Sequence, residues 1–418
     1  MNLSVLGLLF VIMVDVAGQG LILPIINTLV MDPGTGLLSQ SASTSERHFS
    51  FGLVIGVFYL SWFLGAVYIS KLSDSIGRKN GILICLAGAF AGYVLTILAV
   101  MVGSLWLMVL GRVITGFTAG SIPIAQASLA DLSDDDAIKT RNMGYSVAAL
   151  SIGLVAGPIL AGVLSDTALL GGIASLNLPF YAAMVLVLVA AFLIAFFFDD
   201  KLKERAPLKI GPLDVFRLLW RATQKAAVLR ISFVFFFFMF VWNTCFVFVD
   251  NLLSSRFAIG TLGTSMALLV FGAALIVSSS YLVAIANDRF SKLTIVVGAG
   301  AVMLLATTAI AFAPSPAVVY VAIVPLAIGF AIGYPCLLSL YSASVDASEQ
   351  GWVMGVQTAL WTLGAGLTSL IGGELTAIDI RSPFFLAMGS GLLSLILIAL
   401  VWRTPAVRAV LRPEQGGS

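Results

Sequence analysis

Apolar runs of about 20 residues, each long enough to cross a lipid hydrocarbon core as a helix, recur along the whole chain with short polar stretches between them. The pattern predicts twelve spanning helices, near 4–29, 50–70, 80–101, 104–129, 143–165, 179–198, 229–253, 262–286, 294–313, 317–342, 353–376 and 383–402. The first run reads as a span and not as a signal peptide, being too long and having no basic residue before it. Inside that run, in "MVDVAGQGLILP" (13–24), stands Asp15, a carboxyl group where water should be absent.

Composition agrees with a bilayer as the main solvent. Of the 418 residues, 60% are hydrophobic and 10% charged, against about 25% charged in soluble domains. The net charge of +2 argues nothing about nucleic acid, and since no basic cluster with interleaved aromatics appears outside one loop, no nucleic-acid partner is expected. Cys85, Cys245 and Cys336 stand singly in apolar runs and read as packing residues. His48, the one histidine, falls in a polar loop. Zinc chemistry and histidine-based nucleophilic catalysis are therefore not expected, and neither is a metal or cofactor or an enzymatic activity.

Basic residues orient the spans. With the N-terminus in the cytoplasm, 18 of the 22 Lys and Arg residues fall on the inside, three (Arg47, Arg256, Arg381) on the outside, and one, Arg112, within span four. Both termini are thus expected to be cytoplasmic. The longest inside loop divides the chain into residues 1–198, a linker at 199–228, residues 229–402 and a tail at 403–418. The linker's basic surplus reads mainly as a topology anchor. The terminal "GGS" is set aside as a possible fusion scar.

The two halves echo each other. Asp74 and Arg78 align with Asp288 and Lys292 at a shift of 214 residues, and "GFTAG" (116–120) aligns with "GFAIG" (329–333) at 213. Met143-Gly144, Gly153, Gly162 and Leu164 match Met354-Gly355, Gly364, Gly373 and Leu375 at 211. The expected fold is an all-α membrane protein with twelve transmembrane helices in two pseudo-symmetric six-helix bundles, an architecture in which transporters rock about a central site.

Several segments carry a family resemblance. The loop after span two, with Leu72, Asp74, Gly77, Arg78 and Lys79 in place, resembles the loop motif of major facilitator superfamily transporters. "GRVITGFTAG" (111–120) is similar to that family's span-four motif, and "GLVAGPILAG" (153–162) to its antiporter motif in span five. "VDVAGQGLILP" resembles the first span of tetracycline/proton antiporters. The resemblance implies the major facilitator fold, alternating access, and a central cavity lined by spans one, four, seven and ten. Span nine has no mid-span carboxylate and span eight no histidine, which argues against tetracycline itself as substrate.

The loop motif has a physical reading as a gate. Asp74 can face the positive N-terminal end of span eleven near 352 in one state, and Arg78 can pair with Asp131. Asp288 and Lys292 would be the second-half counterparts, the set being Asp74, Gly77, Arg78, Lys79, Asp131, Asp288 and Lys292. The aspartate-rich run "SDDDAIK" (133–139) reads as a solvated turn; consecutive aspartates point in different directions, and no second such run or phosphate loop accompanies it.

Asp15 lies about 17 Å into span one and Arg112 about 12 Å into span four from the opposite side, at 1.5 Å per residue. Across a core of about 30 Å the two depths coincide, so the residues are expected to pair. Burial disfavours the charged carboxylate and a nearby guanidinium favours it, so a change in their separation would make Asp15 take or release a proton. A static ion pair that fixes helix register is the alternative.

Gln19, Thr115, Gln126, Asn243, Tyr334, Gln357 and Trp361 are candidates for the substrate cavity, since polar groups in a span normally face protein or water. Asp250 and Glu374, near the outer ends, read as interfacial charges. "FVFFFFMFVW" (233–242) covers every face of its helix, so most of it meets lipid or neighbouring spans. Gly153, Gly157 and Gly162 read as close-packing positions, with Pro158 bending span five.

These readings point to a secondary active transporter, a proton-coupled antiporter exporting a small drug-like or amphipathic molecule, monomeric, in the bacterial inner (plasma) membrane. Its partners would be that solute, protons and the lipid bilayer. A metabolite or siderophore exporter or importer, or a non-transporting membrane sensor, are the alternatives.

Overall fold

A computed structural model describes residues 3–133, 136–200, 208, 210–211, 213–346 and 349–411. Parts of the aspartate-rich run, the linker and the tail, and the terminal "GGS", lie outside these. Every regular element among the described residues is helical.

In chain order the first half contains α1 (Leu3–Met31), α2 (Thr44–Ile76), α3 (Arg78–Val102), α4 (Leu105–Phe117), α5 (Ser121–Asp131), α6 (Asp136–Ser165), the single turn α7 (Thr167–Leu170) and α8 (Leu178–Phe197). A short helix, α9 (Asp214–Thr223), follows. The second half contains α10 (Ala226–Phe257), α11 (Thr261–Val277), α12 (Val283–Arg289), α13 (Lys292–Ala311), α14 (Pro316–Ala343), α15 (Gln350–Ile378) and α16 (Ser382–Val401), and α17 (Pro405–Leu411) is the last element among the described residues.

Among the described residues, 11 helical stretches are long and apolar enough to cross a membrane. Two are interrupted. Leu105–Asp131 breaks between α4 and α5, and Thr261–Arg289 passes through a π-helical turn at Ser278–Leu282. The expected span at 353–376 lies in α15, whose 29 residues suffice in length. Its glycines and polar residues lower its apolarity, because it packs on protein: α15 lies against both α2 and α10.

Two corrections concern the turn between α1 and α2. α2 begins at Thr44, earlier than expected, because Ser43 and Glu46 form a reciprocal capping box. His48 is therefore in a helix, buried, and not in a polar loop. Arg47 is buried as well; it donates to the carbonyls of Val30 at 2.8 Å and Ser39 at 2.9 Å, which ties the turn to α1.

Where helices approach closely, glycine makes room. A Cβ at Gly153 would strike the Met13 carbonyl on α1, and one at Gly157 the Ala17 carbonyl. These contacts let α6 lie backbone to backbone on α1, with Pro158 against Gly20. Gly162 faces Leu262 and Ser265 of α11.

The ends of the bundle differ. At the far face, opposite the basic loops, the halves are joined directly. Asn251 Nδ2 donates to Asn27 Oδ1 at 3.0 Å, and Asn27 Nδ2 to Ser254 Oγ at 2.7 Å. Thr28 and Thr261 share a 2.8 Å hydrogen bond, and Gly52 of α2 abuts Gly373 of α15. At the basic face the connection runs through α9. Its Val215 packs with Phe63 of α2 and Ala359 of α15.

Candidate functional site

The break in span four positions the site. α4 ends at Phe117, Thr118–Gly120 leave the helix, and α5 restarts at Ser121. Thr118 turns its hydroxyl back to the Ile114 carbonyl at 2.8 Å, capping the end of α4. Ser121 Oγ donates to Asp15 Oδ2 at 2.7 Å. Asp15 thus meets the N-terminal end of α5, where unpaired backbone N–H groups carry partial positive charge. Discontinuous helices serve anionic groups in this way in other transporters.

Arg112, 4% exposed, sits on α4 with its guanidinium carbon 4.2 Å from the centroid of the Phe58 ring. Its Nε has no hydrogen-bond partner. The expected ion pair with Asp15 is not formed in this conformation. The helix break explains this: Ser121 holds the carboxylate from α5, while the aromatic face of Phe58 holds the guanidinium on α4. Both charged groups nevertheless line one cavity, with Gln19, Thr115 and Tyr93. Its volume, about 30 Å³, has room for water but not for a drug-sized solute.

The second half contributes neutral groups. Asn243 Oδ1 accepts from the Trp361 indole N–H at 3.0 Å, and Gln357 Nε2 donates to the Tyr334 hydroxyl at 3.1 Å. Trp361 lies 5.5 Å from Trp62 of α2, ring centroid to centroid, across the junction of the halves. Tyr59 and Phe58 continue the aromatic series from Trp62 to Arg112. Gln126 departs from its expected place: it donates to Ser146 of α6 at 3.1 Å and is absent from the cavity lining.

Of the aromatic run, Phe235 and Phe238 are buried, whereas Phe233, Phe236 and Phe237 line a second cavity of about 340 Å³. Leu219 and Ala222 of α9 and Val356 and Leu360 of α15 complete its almost wholly apolar wall.

At the basic face Asp74 pairs with Arg78 of the same loop, so its partner in this conformation is not the start of α15. Arg78 Nε also lies 3.5 Å from Asp131 Oδ2. Gly77 turns the chain between α2 and α3 at φ 101°, a conformation that favours glycine, and the Lys79 amide donates to Asp200 at 3.3 Å. The second-half counterparts behave differently: Asp288 is exposed, Lys292 is half-buried, and neither forms an ion pair.

α9 is held from both sides. Lys71 of α2 lies 2.8 Å from Asp214, and its hydrogen bond, with that of the Gly211 amide, holds the Asp214 carboxyl below the ordinary carboxylate range. Glu349, just before α15, is bound by Lys225 and, at 2.6 Å, by Arg221; the Lys225 hydrogen bond is the main influence keeping its carboxyl low. The signal was present in the sequence: Val215, Leu218, Leu219 and Ala222 repeat at helical spacing within the stretch read as a linker.

Asp250 is the second correction among the site residues. It is not an interfacial charge but fully buried at 0% exposure, on α10, beside the Asn27–Asn251–Ser254 chain at the far face. Glu374, by contrast, is exposed. Cys85, Cys245 and Cys336 are buried and unpaired.

The model of the Major Facilitator Superfamily matches residues 5–369. A tetracycline resistance protein, class C, of Escherichia coli is 28% identical over 377 residues, covering 89% of this chain and 88% of that protein. The quinolone resistance protein NorA of Staphylococcus aureus (strain MRSA252) is 23% identical over 405 residues, covering 96% and 97%. Among solved structures, the human organic anion transporter MFSD10 (TETRAN) superposes with a TM-score of 0.70 at 20% identity, covering 95% of this chain and 99% of that one. The sequence match and the helical architecture agree: this multi-pass membrane protein belongs to the Major Facilitator Superfamily, a family of small-molecule transporters and not of enzymes.

Proposed function

We propose that the protein is a proton-coupled antiporter that exports a small amphipathic organic molecule. The observation that carries this reading is Asp15, an acid within the membrane that meets the N-terminus of α5 and shares a cavity with the permanent cation Arg112. The basic face is assigned to the cytoplasm, with both termini there, and the membrane to the plasma membrane. The chain acts as a monomer whose two bundles are connected in sequence by the 199–228 segment.

The far face is closed in this conformation, so solute entry is assigned to the basic face, on a rearrangement that widens the small cavity around Asp15 and Arg112. Solute enters between the halves and lies against the aromatic series from Trp62 through Trp361 to Tyr334, with Asn243 and Gln357 supplying hydrogen bonds. Asp15 is ionised while solute occupies the cavity. After the bundles rock, a proton from outside neutralises Asp15 and the solute leaves. An inward proton releases about 2.3 kcal/mol per 100 mV, which drives the solute outward. Arg112 stays charged and sets how strongly the carboxylate is favoured. In this conformation Asp74, Arg78 and Asp131 form a closed local set within the first half, free of the second half.

Reconstitution into liposomes with an imposed pH gradient and a panel of amphipathic cations, anions and neutral dyes tests the reading. Proton flux that starts only when a particular solute is added supports antiport. Solute movement indifferent to the gradient contradicts it.

A further inference from the structure

Asp250 is not used by the mechanism above, and its surroundings are unlike those of Asp15. It is 0% exposed, and neither carboxyl oxygen has a hydrogen-bond partner. Asn27 and Thr264 are its polar neighbours. Thr264 Oγ1 gives its one hydrogen to the Thr261 carbonyl at 3.1 Å, and Asn27 Nδ2 gives one of its two to Ser254 Oγ at 2.7 Å. The adjacent Asn251 Oδ1 is also without a partner. The far-face junction therefore holds three unpartnered acceptor atoms, against which only the second amide hydrogens of Asn27 and Asn251 remain, both neutral donors.

Among the described residues no cation pairs with it. α1 presents Asn27 and Thr28, and α11 presents Thr261 and Thr264, all neutral. α14 presents Tyr320, whose hydroxyl donates to the Gly263 carbonyl at 2.8 Å. On α10 itself, Arg256 points to the Ala311 carbonyl and lies over the Phe257 ring. Beyond α15, Asp379 is paired with Arg381 at 2.8 Å, and Glu374 is exposed. Arg47 of α2 is spent on the Val30 and Ser39 carbonyls, and His48 is buried beside it. A carboxylate sealed here would be a buried charge without a counter-ion, which costs several kcal/mol; the carboxylic acid is neutral and adds a donor where acceptors such as Asn251 Oδ1 lack one.

We propose that Asp250 is a proton-binding gate residue: the halves close over it at the far face only in its acid form, and its ionised form holds them apart. The proton is taken from and returned to the same side, because the closed junction separates Asp250 from the cavity of Asp15. Asp250 therefore adds no net proton transport. It makes closure on the outside depend on external pH, so that an acidic exterior, the condition that drives export, also speeds the return to the cytoplasm-open state. The sidedness rests on the orientation and coupling proposed above; the link between protonation and far-face closure does not.

The test is a spin-label distance between Ser45→Cys on α2 and Ile378→Cys on α15, two exposed far-face positions, in the full chain in nanodiscs between about pH 5 and about pH 9, a range that brackets documented buried carboxyl groups. A far-face separation that widens as pH rises, and Asp250→Asn locked closed at every pH, are expected. Asp250→Glu keeps a titratable group and is expected to keep the response with its midpoint displaced by roughly half a unit or more. An unchanged pH response in Asp250→Asn overturns the proposal. Should that variant fail to fold, an unaltered midpoint in Asp250→Glu does so. Asp15→Asn is expected to retain the far-face response while losing solute-driven proton flux. A wild type without such flux but with the pH-dependent distance would refute the antiport reading and leave the gate standing.

Discussion

Spans four and ten carry matching sequence, "GFTAG" and "GFAIG", yet fold differently. In the first half the helix breaks at 118–120, and the N-terminal end of α5 is free to meet Asp15. In the second half α14 runs unbroken through Gly329 and Gly333, although Pro325 and Pro335 flank them. Gly329 there lies against the Ala299 carbonyl and Met303 of α13, and Gly333 against Phe238 of α10. A broken helix offers unpaired N–H groups to an anion; a continuous one keeps them. The same repeat thus yields a charged site in one half and, at Tyr334 and Gln357, a neutral hydrogen-bonding site in the other.

The comparison can be broken most severely at the glycines. Gly157 corresponds to Thr368 at the 211-residue shift. Gly157→Thr, which imports the second half's residue, drives a side chain into the α1 backbone and is expected to cost about 3 kcal/mol or more, seen as loss of folded protein on detergent gel filtration. The reverse position is permissive. Thr368 is buried with its hydroxyl unpartnered, so Thr368→Ala should stay within about 1 kcal/mol of the parent.

A smaller effect is expected at Arg112. Arg112→Lys keeps the charge but loses the planar group stacked on Phe58. A desolvated cation–π contact is worth about 2 kcal/mol, so the solute concentration for half-maximal proton flux should rise by about tenfold or more. An unaltered value would show that the Phe58 contact does not shape the site. In the neutral half, Trp361→Phe removes the N–H that Asn243 accepts. About 1 kcal/mol is at stake, a change of about fivefold in apparent solute affinity with no change in the pH dependence of transport.

The mildest contrast concerns α9, held electrostatically where the far face is held by packing and neutral hydrogen bonds. The Asp214 and Glu349 carboxyls both lie below their ordinary values when α9 is docked. Their contribution is therefore present above the ordinary carboxylate range and is lost as pH falls through the lower docked values. Hydrogen exchange in α9, corrected for the intrinsic rate, should accelerate below about pH 4, while exchange at Gly52 and Gly373 should not. Both contacts are partly solvated, so the change should be modest.

Span positions were readable in the sequence to within a few residues, because a twenty-residue apolar run has few alternatives in a bilayer. The break in span four was signalled by Pro123, which has no N–H for the Ala119 carbonyl, but Pro335 stands at the comparable place in the unbroken α14, so the proline alone did not decide it. The Asp15–Arg112 depth match led to an expected ion pair that this conformation does not contain, although both residues line one cavity. It could not show the competing partners, Ser121 and Phe58, which follow from helix rotation and not from depth. Asp250 was misread for a similar reason: distance from a helix end says nothing about what covers the side chain, and here its polar neighbours are Asn27 and Thr264, from opposite halves. Gln357 and Trp361, four residues apart, were visible as cavity candidates, and in α15 they hydrogen-bond to Tyr334 and Asn243.

The central claim is that Asp15 couples the proton to the solute. It is tested most directly by Asp15→Asn in liposomes, comparing two modes in one preparation: solute–solute exchange without a gradient, and accumulation driven by a pH gradient. The account predicts that exchange persists while driven accumulation and solute-induced proton flux disappear. Accumulation that still follows the pH gradient in this variant would contradict it.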